Sequence, residues 1–93
     1  MVGTWKIAKM KAAKLPEKVA TGFAQATEGL KGATYKPVLY CGTQVVAGTN
    51  HLIICKQVLS DKAKTEHVVE MILTQPLPKD GKKWTISSIT PLI

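Results

Sequence analysis

Gln44-Val45-Val46-Ala47-Gly48-Thr49-Asn50 sits mid-chain between two strand-like runs, residues 35–43 and 50–59. Two such runs around a short connector that contains glycine predict a β-hairpin. A tight hairpin tip is usually polar, with Asn, Asp or Gly supplying the positive φ that the turn needs. Here Gly48 is available for backbone geometry, while Val45, Val46 and Ala47 are apolar. β-branched residues at a solvent-facing turn have nothing of their own to pack against. Spacing alone admits three readings: the tip packs against another molecule, it folds under and joins the core, or it continues a strand.

Upstream of the hairpin, Val19, Ala20, Phe23, Ala24, Thr27 and Leu30 recur at three- and four-residue spacing. That stripe predicts one amphipathic helix over residues 17–31. Pro16 suits the first helical position, Glu17 complements the helix dipole, and Gly32 is the expected C-cap. Gly22 and Gly29 each cost about 1 kcal/mol of helix propensity relative to Ala. Gly22 is open to two readings, a notch that lets a sheet approach closely or simply a weak helix position. Before the helix, Trp5 and Ile7 alternate with Lys6, so residues 4–11 read as a short edge strand whose lysines discourage pairing with other chains. The alternation slips at Ala8 and Met10.

Downstream, residues 67–75 and 84–90 are further strand-like runs, set apart by residues 60–64 and 76–81. Short connections make sequential strands antiparallel neighbours. The expectation is one α+β domain over residues 1–93, with one N-terminal helix packed across a four- to five-stranded antiparallel sheet. Successive hairpins emerge at alternate ends of a sheet. The turns at Val45–Gly48 and Leu77–Pro78 are therefore expected at the same end.

Composition narrows the function classes. The chain is 45% hydrophobic and 20% charged, an ordinary globular balance. No apolar run is long enough to span a bilayer, and Met1 to Lys6 lack the apolar segment of a secretory signal. A cytoplasmic protein is expected, or an extracellular one if a leader was removed. The net charge is +7, and all thirteen basic residues are lysines spread along the chain. Readers of phosphates and base edges favour the bidentate fork of Arg, which is missing. Base-stacking platforms also need aromatic residues among basic ones on an open sheet face. The chain has two Trp, two Tyr and one Phe, and the helix should cover one face. No nucleic-acid partner and no membrane partner are expected; a basic binder of nucleic acid or acidic surfaces is the remote alternative.

Residues suited to chemistry are poorly arranged for it. A turn centred near Val46-Ala47 puts Cys41 across from Leu52 or Ile53, and Cys55 across from Val38 or Leu39. The two cysteines are then at best a diagonal of roughly 7–8 Å apart, beyond the about 4.4–6.8 Å that a disulfide tolerates. Two free thiols are expected, which suits a reducing compartment. In one register Cys41 and His51 share a face, yet no glycine-rich turn or helix N-terminus adjoins either thiol to activate it. Cys41, Cys55, His51 and His67 lack the paired spacing of a zinc site. Glu66 and Glu70 share a strand face too far apart to act as a glycosidase pair, and no phosphate-cradling loop is present. Neither catalysis nor a metal or other cofactor is expected.

Gln44-Val45-Val46-Ala47-Gly48 resembles the QVVAG loop of the cystatin superfamily. With Thr49-Asn50 it is most similar to the stefins, small single-domain inhibitors of papain-like cysteine proteases. Val2-Gly3 near the start and Leu77-Pro78 between the last two strands resemble the other two elements of that family. The order of helix and strands agrees over nearly the whole chain. The resemblance implies a reversible tight-binding inhibitor rather than an enzyme, with a papain-like, cathepsin-type protease as partner. Val2 would occupy a substrate subsite, and Gly3 would let the trunk bend away from the thiolate. Gln44, Val45, Val46, Ala47 and Gly48 would line one wall of the cleft, with Leu77 and Pro78 on its far side. A monomer is implied, able to exchange strands into a dimer about the residue 45–47 hinge. The chain departs from the secreted branch in having Lys79 rather than Trp after Pro78, and in lacking paired disulfides. Trp84 is expected to pack in the last strand. The alternative is a binding protein of the same fold that inhibits nothing.

Overall fold

Eight of the best-covered side chains come from three segments: Leu15, Val19 and Phe23 from the helix region, Ile53 and Cys55 from one strand, and Val69, Met71 and Leu73 from the next. The computed structural model describes residues 5–93, so Val2 and Gly3 lie outside the described residues. It comprises α1 (Glu17–Thr27), β1 (Ala33–Val46), β2 (Gly48–Leu59), β3 (Glu66–Gln75), a 3₁₀ turn at Pro78–Asp80, and β4 (Thr85–Pro91). The sheet has four antiparallel strands in the order β1-β2-β3-β4. One helix packed on a four-stranded antiparallel sheet is the expected α+β architecture, at the lower of the two strand counts. The described residues extend 52 × 24 × 22 Å. The long β1–β2 hairpin accounts for that elongation, since a strand rises about 3.4 Å per residue.

Period-two alternation sorts the two faces. His51, Ile53 and Cys55 on β2 and Val69, Met71 and Leu73 on β3 point to the helix side and are buried. Covering each large apolar side chain contributes about 1.5–3 kcal/mol, so the two central strands carry most of the hydrophobic stabilisation. At the far end, the β2–β3 connection is closed by Asp61. Its carboxylate accepts hydrogen bonds from Thr65 Oγ1 (2.6 Å) and Thr65 N (2.9 Å). These bonds hold the Asp61 carboxyl below its ordinary range.

Two expectations need correction. Among the described residues, 5–16 form no strand, so β1 is an outer strand and the expected edge strand adds no fifth one there. Pro37 has no N–H to offer a neighbour, and the register of β1 shifts at Val38 and again at Cys41. An edge so interrupted presents no regular row of donors and acceptors. The N-terminal segment meets it through one backbone bond, Ala13 N to Pro37 O (2.8 Å).

The helix also ends a turn early, at Thr27 rather than residue 31. Thr27 Oγ1 donates to the Phe23 carbonyl (2.8 Å), as Thr21 Oγ1 does to the Glu17 carbonyl within the helix (3.1 Å). Gly29 is a weak helix former, and Leu30, beyond the end, is left 39% exposed. Gly32 is therefore not the cap; its carbonyl accepts from Ser60 N (2.8 Å) and ties the start of β1 to the end of β2.

Gly22 resolves to the notch. Trp84, immediately before β4, lays its indole against the bare Gly22 backbone, where a β-carbon would overlap the ring carbons. The backbone N–H of Trp84 donates to Gln25 Oε1 (3.1 Å), a second tie between the helix and the start of β4. An alanine at Gly22 should gain about 0.5–1 kcal/mol of helix propensity and lose more to overpacking, about 1–3 kcal/mol. Gly22→Ala is therefore expected to lower Tm, measured by circular dichroism. Gly22→Ala combined with Trp84→Leu should cost less than the sum of the two single changes.

Candidate functional site

Strands β1 and β2 run on to the very tip of their hairpin. Gln44 faces Asn50, Val45 faces Thr49 and Val46 faces Gly48, which leaves Ala47 alone at the apex. Of the three readings, residues 45 and 46 do continue the strand. They nevertheless stay outside the core, with Val45 83% and Val46 48% exposed. Ala47 and Gln44 are exposed as well. The side chain of Gln44 is engaged within the hairpin: its Oε1 accepts from Asn50 Nδ2 (3.2 Å). Asn50 Oδ1 in turn accepts from Thr74 Oγ1 (2.8 Å), and the Thr74 and Ser87 hydroxyls are hydrogen-bonded. That chain crosses all four strands close to the candidate edge.

Gly48 is what seats the tip. Its φ is +113°, a value that side chains rarely adopt, and a β-carbon there would overlap the Gln75 carbonyl oxygen. Thr49 pairs with Gln75, so the first hairpin lies against the corner where β3 leaves the sheet. From that corner Pro76 and Leu77 continue to the 3₁₀ turn, in which Asp80 N donates to Leu77 O (3.0 Å) and Gly81 N to Pro78 O (3.3 Å). Leu77 is half-buried and Pro78 exposed. Gln44, Val45, Val46, Ala47, Gly48, Leu77 and Pro78 thus gather at one end of the sheet, as alternating hairpin ends require. Val2 and Gly3 are outside the described residues and are not among them.

Sequence reasoning missed the group beneath this edge. His51 is buried with 5% exposure. Its Nδ1 lies 2.7 Å from Tyr40 Oη and its Nε2 lies 2.9 Å from Gln75 Oε1. The pattern that satisfies both bonds has Tyr40 donating to Nδ1 and the Nε2–H donating to Gln75. The imidazole stacks on Trp84 (centroids 5.2 Å apart, planes at 18°) and on Tyr40 (5.9 Å, 28°). Alternation with Ile53 and Cys55 marked His51 as inward. Nothing local announced Gln75, which is far away in sequence.

The cysteines are both free and lie on opposite faces of the sheet. Cys55 is fully buried, and burial pushes its thiol up from 9.0 to about 12. Cys41 is the extra residue where the register of β1 shifts between Tyr40 and Gly42, and it is exposed on the face away from the helix. It borders a shallow hollow there with Leu52, Glu70 and Ile72. The shared face that one register offered Cys41 and His51 is not formed, because His51 points to the helix side. Glu66 pairs with Lys56 (3.2 Å). Among the described residues no three His, Cys, Asp or Glu side chains come together as a metal site, and no helix is long and apolar enough to cross a membrane.

The chain matches no family model, no curated protein and no solved structure.

Thiol chemistry checks the arrangement. At pH 8 a disulfide reagent should titrate one thiol promptly in the native protein and the second only after unfolding, and Cys41→Ser should remove the prompt phase. Because the folded Cys55 thiol titrates above the unfolded one, its contribution to stability is intact below pH 9 and is lost as pH rises towards 12. The urea midpoint of the parent should fall more steeply over that window than that of Cys55→Ala.

Proposed function

We propose that the protein is a reversible, tight-binding inhibitor of papain-like cysteine proteases, of the stefin-like kind. One observation carries the reading: Val45 and Val46 stand exposed at the end of a long hairpin whose tip is seated, at Gly48, against the corner leading to Leu77 and Pro78. Apolar side chains held in water by a rigid backbone are an incomplete core, and a cleft built for an extended peptide would complete it. Docking then covers Val45, Val46 and Ala47 on one side and Leu77 and Pro78 on the other. Rigid hairpins lose little conformational entropy on binding, so more of the burial energy is available as affinity. No covalent step is involved. Gly48 and Gln44 serve this edge by shaping the hairpin. The roles of Val2 and Gly3 rest on the resemblance alone.

Lys79, Asp80, Lys82 and Lys83 supply the charged residues of the second loop, giving the apolar edge a basic flank. Two free thiols suit a reducing compartment, and the cytoplasm is the location proposed. The protein is proposed to act as a monomer, since each copy carries the whole edge.

Titration of papain with the protein should abolish hydrolysis of a peptide substrate. Full activity at micromolar excess would overturn the reading. Val46→Asp should weaken inhibition by about 30-fold or more, since loss of a central apolar anchor costs about 2 kcal/mol or more and each 1.4 kcal/mol is tenfold. Its Tm should stay within about a degree or two of the parent, because the site is solvent-exposed and surface substitutions cost little.

A further inference from the structure

We propose that His51 is a positioning residue that sets where the second loop stands relative to the first, acting through Gln75 and Trp84; its effect on inhibition rests on the proposed function above. The loop from Pro76 to Lys83 leaves the sheet after Gln75 and returns to it through Trp84. His51 touches both ends. Its Nε2–H donates to the side chain of Gln75 (2.9 Å), and its ring face stacks on Trp84 at 5.2 Å. The backbone carbonyl of Gln75 is in turn the surface on which Gly48, at the tip of the first hairpin, is seated. One buried side chain therefore contacts the exit and re-entry of the second loop, and the exit residue carries the first.

Imidazole is suited to this in a way other side chains are not. In its neutral form it offers a donor and an acceptor on opposite edges and a flat face between them. Tyr40 Oη holds Nδ1 at 2.7 Å, which orients the ring and leaves the Nε2–H aimed at Gln75. Phenylalanine would keep the face and lose both bonds. A buried bond of this kind also rejects a mispositioned partner, because an unpaired polar group in that setting is costly. Among the described residues, the loop's internal bonds are those of the 3₁₀ turn and Leu77 is only half-buried, while Trp84 is also held by Gly22 and Gln25.

The test is a mutant cycle read against papain, with amide exchange as an independent arm. Gln75→Leu removes the acceptor of the His51 bond and keeps the backbone carbonyl under Gly48. It should raise the inhibition constant about tenfold, the scale of one lost net hydrogen bond. In that background Leu77→Ala should lose most of its further effect, whereas Val46→Ala should keep its full effect. Gln75→Glu, which restores an acceptor for the Nε2–H, should recover the parent behaviour. A residue that merely stabilised the fold would leave the Leu77 and Val46 effects equally additive, and that result would overturn the proposal. In the exchange arm, protection at Asp80, Gly81 and Trp84 should fall in Gln75→Leu and in His51→Phe, while that at Ile53 and Met71 is unchanged. Unchanged protection at the loop amides would overturn the positioning role. Should the parent fail to inhibit papain, the proposed function falls, and the exchange arm still decides the role of His51.

Discussion

The stack of Gly22, Trp84 and His51 is the constraint on which the arrangement turns. A helix ordinarily stands off a sheet by the thickness of its own side chains, roughly 10 Å between layers. At Gly22 that spacer is missing, and the indole of Trp84 occupies the room instead. The other face of the problem is His51, whose ring stacks with the same indole. Helix, central strand and the start of β4 therefore meet at one aromatic contact, with the Gln25 side chain accepting from the backbone N–H of Trp84. A β-carbon at Gly22 would have to displace the Trp84 ring on which the contact depends.

From that contact the organisation of the candidate edge follows. Core stabilisation is concentrated in β2 and β3, whose Ile53, Cys55, Val69, Met71 and Leu73 are fully covered. Hydrophobic burial at the centre leaves the ends of the sheet free to carry residues that contribute nothing to folding. The tip at Val45, Val46 and Ala47 is such an end. It keeps its shape through backbone pairing, through the Gln44–Asn50–Thr74–Ser87 chain, and through the seat of Gly48 on Gln75. Rigidity with exposed apolar surface is the combination that the proposed inhibitory function uses.

The thiols show how one residue type divides by position. Cys55 lies in the wall of the core, where a thiolate would have to be stripped of water, and its thiol is held neutral far into the alkaline range. Cys41 stands at an irregularity of β1 and faces out. The same irregularity, together with Pro37, spoils the edge of β1 as a template for another strand. That is a common way for an outer strand to avoid pairing with other chains.

Much of this was legible in the sequence. The stripe of Val19 and Phe23 announced the helix, runs rich in Val, Ile and Leu announced the strands, and short connections announced an antiparallel order. The placement of the tip and its partner loop at one end followed from alternating hairpins. These are local or near-local signals, set by periodicity and turn length. Residues 5–16 misled because a few alternating residues say nothing about whether a strand edge can receive them, and Pro37 and the register shifts of β1 settle that. The helix end misled because Thr27 and Leu30 keep the three-residue spacing past the point where Gly29 weakens the helix. The role of Gly22, the fate of Trp84, the seat of Gly48 and the partners of His51 were decided only in three dimensions. Each depends on contact between segments distant along the chain, and composition and spacing carry no information about which distant atoms fill a gap.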